Sequence, residues 1–394
     1  MPDIVHEPLA RAESLAAIPL PGAAELDGAI ARALARIDRA LPEFIDRFPA
    51  PSSEGLVYPA IGNIEWTNGF WTGMLWLAWE LTGEARYCDA AKLQVRSFVE
   101  RADKEINVAH HDMGFLYTPS ACASWRLTGN VDAQRAGIAA ARLLLKRYDP
   151  KARVIQAWGD LDDPAQAGRM IIDCNLNLPL LYWASEQTGD LDYRDAAEEH
   201  LTQAARYLVR PDASTFHTFH MDTLTGAPLY GTTHQGYSDD SCWARGQAWG
   251  IYGFALGFAH SGREDLVRLS ASLANYYLNR LPDDLICYWD LIFTAGEEPR
   301  DTSAAAIAAC GLLELIRHLP ASDPARDLYA RAAWGMIRQI DRHHLAPLEG
   351  SNGLLADGVY HMPNKVGVGE CCIWGDYFYL EALVRMRRIW RAYW

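Results

Sequence analysis

Trp183-Ala-Ser-Glu-Gln-Thr-Gly-Asp-Leu-Asp-Tyr-Arg-Asp-Ala-Ala197 reads as the end of an apolar helix, a tight turn at Gly189 and the start of an amphipathic second helix. Glycine at that point suits a left-handed helix C-cap. The same sentence is written again in Leu77-Ala-Trp-Glu-Leu-Thr-Gly-Glu-Ala-Arg-Tyr-Cys-Asp-Ala-Ala91, in Trp125-Arg-Leu-Thr-Gly-Asn-Val-Asp-Ala133 and in Phe258-Ala-His-Ser-Gly-Arg-Glu-Asp-Leu266. A looser copy runs from His318 to Tyr329. Gly83, Gly129, Gly189 and Gly262 lie 46, 60 and 73 residues apart. That spacing is too long and irregular for a simple solenoid, and suits helical hairpins joined by longer loops at the opposite end.

Counting outward predicts about six hairpins. The apolar stretches 69–81, 119–127, 173–187, 243–260, 303–319 and 374–387 are the expected inner helices, and the Ala/Arg/Asp-rich stretches between them the outer ones. The first outer helix is expected over 25–48. A strand pair is expected over 216–221 and 229–232, around Asp222-Thr-Leu-Thr-Gly226. The expected fold is all-α: an (α/α)6 toroid with small β pieces in the long loops. Residues 1–23 form a loosely held lead-in and residues 24–394 one barrel domain, whose long loops should carry the site.

Composition agrees with a globular chain: 394 residues, 50% hydrophobic and 22% charged. Fourteen Trp and eighteen Tyr supply flat faces with a polar handle, suited to stacking on sugars. A formal net charge of −14 argues against nucleic acid or an anionic membrane as partner. An acidic substrate would need a local cationic pocket. The eight Cys show neither CxxC nor Cys/His metal spacing, and are read as reduced thiols of a cytoplasmic protein. Neither a secretory leader nor a membrane-spanning run is expected. No feature sets an oligomeric state.

Polar residues recur at the long-loop ends of the hairpins. Asp112, in His110-His-Asp-Met-Gly-Phe115, and Asp173, in Arg169-Met-Ile-Ile-Asp-Cys-Asn175, each sit among apolar neighbours. Such surroundings displace a carboxyl's ionisation upward, as a general acid requires, although either Asp also fits an N-cap. Asp301, before Thr302-Ser303, reads as a cap. The stretch Thr233-His-Gln-Gly-Tyr-Ser-Asp-Asp-Ser-Cys-Trp-Ala-Arg-Gly-Gln-Ala-Trp249 opens another helix with Trp243, Arg245 and Trp249, a set able to hold a planar anionic ring. Asp239 or Asp240 with Ser241 is expected to cap its start. His217 and His220 alternate sides of a segment that reads as extended, so one of them can reach a substrate or both can simply be solvated loop histidines. Adjacent His110 and His111 do not converge on one ion, and neither metal nor cofactor is expected.

Trp66-Thr-Asn-Gly-Phe-Trp-Thr-Gly-Met-Leu-Trp76, His111-Asp-Met-Gly-Phe115, Ile172-Asp-Cys-Asn-Leu-Asn-Leu178, the segment 234–250 and Asp301-Thr-Ser-Ala-Ala305 occur in an order that resembles the unsaturated glucuronyl hydrolases, glycoside hydrolase family 88. The resemblance covers roughly residues 63–386. It implies an (α/α)6 barrel that removes a 4,5-unsaturated uronate from the non-reducing end of lyase-generated oligosaccharides by hydrating the C4=C5 vinyl ether. By motif it maps the proton donor to Asp173, its partner carboxylate to Asp112, and substrate contacts to His217, Gln235, Trp243, Arg245 and Trp249. An unsaturated rhamnogalacturonyl hydrolase, another toroid glycosidase or a non-catalytic sugar-binding toroid are the alternatives. Lys365, in the loop 358–367, can meet a sulfate or carboxylate or simply be solvated.

Overall fold

Gly83, Gly129, Gly189 and Gly262 all adopt φ between 71° and 75°. Each closes its helix by donating its N–H four residues back, to Trp79, Trp125, Ser185 and Phe258. A side chain is strained at this φ, so glycine makes the reversal cheap. These turns join helix pairs in the computed structural model, which describes residues 4–163 and 166–394. The first three residues of the expected lead-in lie outside the described residues.

Twelve long helices are present among the described residues. They are α1 (Ala23–Ala40), α2 (Asn68–Thr82), α3 (Ala85–Asp103), α4 (113–128), α5 (Val131–Leu145) and α6 (Pro179–Thr188), followed by α7 (192–208), α8 (Ala244–Ser261), α9 (Glu264–Asn279), α10 (Thr302–His318), α11 (Ala325–His343) and α12 (Ile373–Arg387). The even-numbered helices form the inner ring. Each packs on the next, and α12 packs back on α2 to close it. The expected toroid is therefore present. Its inner helices are apolar nearly all round, with Trp71, Trp76, Trp249 and Trp374 buried. Outer helices such as α3 and α11 bury one face only.

Three boundaries differ from expectation, each at a proline. α1 ends at Ala40 rather than residue 48, because Pro42 follows its C-cap and cannot continue the hydrogen-bond ladder. α4 begins at Met113, upstream of the expected residue 119, and absorbs Pro119 in a π-type turn at Thr118–Cys122. Asp173 lies not on an α-helix but on the 3-10 turn Ile172–Leu176. Pro179 has no N–H to give Asn175, so α6 can start only at that proline.

The long loops at the other end carry the strands. β1 (Phe48–Pro49) pairs with β2 (Ala60–Ile61), and β3 (Tyr148–Asp149) with β4 (Val154–Ile155). β5 (Arg169–Ile171), β6 (Thr218–Met221) and β7 (Pro228–Thr232) form a three-stranded sheet in that order. The β6–β7 hairpin was expected. The β5 strand was not, and it ties the segment leading to Asp173 beside His217 through Ile172 N–H to His217 O, 3.1 Å. β8 (Gly358–His361) and β9 (Val366–Glu370) make a last hairpin. The lead-in lies against α9, with Val5 N–H on Pro211 O and His6 hydrogen-bonded to Ser272.

Candidate active site

Asp112 ends the loop before α4, and Asp173 sits on the 3-10 turn before α6. The two segments touch. Asn177 accepts from Phe115 N–H at 2.8 Å and donates to Asp173 O at 3.4 Å. A Cβ on Gly114 would lie 2.3 Å from Asn177 Cα, so only glycine permits this approach. Neither aspartate caps its helix by a side-chain bond, which removes the capping alternative.

Their environments separate them. Burial pushes the Asp173 carboxyl up to about 7; Arg245 opposes this and the Asp112 charge adds to it. Its Oδ1 is buried without a hydrogen-bond partner. Burial also acts on Asp112, but His111, His110 and Arg147 outweigh it and hold the carboxyl below its ordinary value. His110 Nδ1 and His111 Nε2 lie 3.2 and 3.3 Å from its oxygens. Burial holds His111 itself at about 4, so at neutral pH it offers Asp112 an N–H dipole, and Arg147 supplies the charge. One carboxyl is thus poised to carry a proton at neutral pH while its neighbour stays ionised.

Arg245, 2% exposed, sits beneath the site on the first turn of α8. It donates to Asp301 (3.2 Å), Gln235 Oε1 (2.5 Å), Tyr360 O (2.8 Å) and Val359 O. Its guanidinium lies 4.5 Å from the Trp243 ring centroid and 4.9 Å from that of Trp374. Its charge therefore reaches the site from a fixed position, and it holds Gln235 in place. Asp301 does cap α10, through Ser303 and Ala304 N–H, but its second oxygen anchors Arg245. The expected cap of α8 is not made: Trp243 occupies the N-cap, Asp239 instead accepts from Thr233 N–H, and Ser241 donates to Asp290.

His217 Nδ1 accepts the N–H groups of His234 (2.9 Å) and Gln235 (3.1 Å), so Nε2 carries the ring proton. Burial, then His234 and Arg245, push its pKa well down, leaving a neutral donor. His220 points elsewhere, hydrogen-bonded to Thr232 and stacked on Tyr230. Trp243 is covered by His217 at 4.3 Å and by Arg245, and Trp249 is fully buried against Phe115 and Phe378. Neither indole offers an open face. Partly exposed aromatics lie instead at Trp66, which donates to Tyr360 OH and stacks on Trp374, and at Trp158, which packs against His234 with Arg169 over its ring. Only Trp66, inside a quoted motif, carried a sequence signal for this. Asp376 accepts from Leu354 and Leu355 N–H and from Tyr58, and anchors the loop before β8.

Two carboxyls of opposite protonation state at the loop end of an (α/α)6 ring are the equipment of a glycosidase. The chain belongs to Glycosyl Hydrolase Family 88, whose profile matches residues 36–343. It is 45% identical over 393 residues to the unsaturated chondroitin disaccharide hydrolase of Streptococcus pneumoniae, covering 99% of each chain. It superposes on the crystal structure of unsaturated glucuronyl hydrolase from Streptococcus agalactiae with a TM-score of 0.98, at 43% identity and full coverage of both. An Asp-to-Asn variant of that enzyme, complexed with dGlcA-GalNAc6S, matches at a TM-score of 0.89 and 41% identity over 99% of each chain.

Proposed function

We propose that this enzyme releases 4-deoxy-4,5-unsaturated glucuronate from the non-reducing end of lyase-generated glycosaminoglycan oligosaccharides. The observation that carries the reading is the opposed ionisation of Asp173, near 7, and Asp112, below its ordinary value. Asp173 donates its proton to C4 of the vinyl ether. The resulting C5 cation is shared with the ring oxygen. Water then adds at C5 and returns a proton to the Asp173 carboxylate, so the catalyst is regenerated and one water is consumed. The C5 hemiketal opens the ring and expels the next sugar from C1. Asp112 remains an anion throughout, keeping Asp173 protonated and stabilising the developing positive charge.

The substrate carboxylate is held by His217 Nε2–H and Gln235 over the fixed charge of Arg245, and the sugar faces meet Trp66, Trp158 and Tyr360. Trp243 and Trp249 support the pocket from behind. A chondroitin-type disaccharide is favoured, by similarity to the relatives above. The β8–β9 hairpin brings Tyr360 to the site and exposes Lys365 at its turn, a cation suited to a sulfate on the second sugar. The eight cysteines are free and buried, which supports a reducing, cytoplasmic location. Among the described residues no helix is long and apolar enough to cross a membrane.

The test is loss of ultraviolet absorbance of the conjugated C4=C5 bond on mixing with sulfated and unsulfated unsaturated disaccharides from chondroitin, hyaluronan and heparin. Turnover is expected on at least the chondroitin products. Unchanged absorbance across the whole panel rejects the function.

A further inference from the structure

Behind Asp112 runs the strand edge formed by β4 and the two residues after it. Gln156 N–H turns to Arg147 O at 2.9 Å. The opposite edge is used by its neighbours in sequence. Ile155 N–H donates to His200 Nδ1 at 2.8 Å, and Ala157 O accepts His111 N–H at 2.8 Å. Residues two apart on a strand present the same edge, so His200 and His111 are neighbours. His111 is among the groups whose charge weighs on His200. Both are buried, at 0% and 3% exposure, and each has one ring nitrogen without a hydrogen-bond partner: Nε2 of His200 and Nδ1 of His111.

The two orphans are complementary. His200 Nδ1 accepts, so its ring proton is on Nε2, a donor. His111 Nε2 faces a carboxylate oxygen of Asp112 at 3.3 Å, where a lone pair would be repelled. Its proton therefore belongs on Nε2, leaving Nδ1 an acceptor. Burial keeps both rings neutral, at about 3 and about 4. A leftover donor and a leftover acceptor thus lie on two buried rings held at the same strand edge, and no step of the reaction above uses either.

We propose that His200 is a positioning residue for the reaction: its Nε2–H serves His111 Nδ1 through one bound water, and so locks the His111 Nε2–H onto Asp112. The inference rests on the reading of Asp112 and Asp173 as the reacting pair. Without His200, the His111 ring is free to move its proton to Nδ1 and turn a lone pair toward the carboxylate.

Histidine 15N NMR of the full-length protein at neutral pH reads ring tautomers directly, with His111 assigned by its loss in His111→Gln. The expected parent spectrum shows His111 as the Nε2–H form. His200→Phe keeps the ring bulk and removes the donor; it should move the His111 nitrogens and lower kcat about tenfold, the rate equivalent of one lost hydrogen bond, with KM within about twofold. His200→Gln, which restores an N–H donor, should recover most of kcat. Melting temperatures measured alongside expose a merely packing role, which would lower stability without moving the His111 resonances. A folded His200→Phe with parental resonances and kcat overturns the proposal. If that variant does not fold, His200→Asn, too short to reach, takes its place with the same expectation and the same refuting result. Full activity in Asp112→Asn would sink the reading of the site instead, leaving the tautomer measurement to judge the histidine pair by itself.

Discussion

A general acid must hold its proton, so the rate should fall as pH rises through the Asp173 pKa. With that value near 7, the acid is about 90% protonated at pH 6 and about 10% at pH 8, a roughly tenfold loss in kcat/KM over two units. An aspartate at its ordinary value of 3.8 would be under about 1% protonated at pH 6 and could not serve. Asp112, held below 3.8, stays ionised across this range and contributes only an acidic limb. Initial rates followed by loss of vinyl ether absorbance from pH 5 to 9, with kcat/KM extracted at each point, report the free enzyme. The Asp112 charge helps raise Asp173, so the residual activity of Asp112→Asn should fall off at lower pH than the parent. A profile that is flat or rising between pH 6 and 8, or a descending limb that moves upward in Asp112→Asn, refutes the assignment.

Asp173→Asn should lower kcat by about 10²–10⁴ with the fold intact. Because the folded-state pKa of Asp173 is raised, its favourable contribution is complete below about 3.8 and lost as pH rises through about 7. The variant's melting temperature should therefore gain on the parent's progressively from pH 5 to pH 8, as read by calorimetry. Arg245→Met leaves Asp301 buried at 0% exposure without its cation and should cost about 3–5 kcal/mol in denaturant unfolding, together with activity. Gly114→Ala forces a methyl onto Asn177; it should destabilise by about 1–3 kcal/mol and reduce kcat by moving the two carboxyls apart, measurable by chemical denaturation and steady-state rates. Reaction in heavy water should place one deuterium at C4 of the released sugar, seen by mass spectrometry; none there would exclude protonation at that carbon.

What the sequence determined by itself was local. A glycine that must turn left-handed and an apolar period of 3.6 residues act within a few positions, so the hairpins and the toroid were legible from turns such as Gly189 and stretches such as 243–260. The motifs also singled out Asp112, Asp173 and Arg245. Prolines moved three boundaries because their effect depends on what the neighbouring turn can absorb, as Pro119 and Pro179 show in opposite ways. Tertiary structure decided everything that depends on solvent and distant charge. Asp173 and Asp112 look alike along the chain, yet one is raised by burial and the other lowered by His110, His111 and Arg147. Trp243 and Trp249 look like open sugar platforms until His217, Arg245, Phe115 and Phe378 cover them, while Trp66 and Trp158 keep exposed surface. Desolvation and Coulomb fields are set by groups brought together from remote hairpins, and no local pattern of residues encodes them.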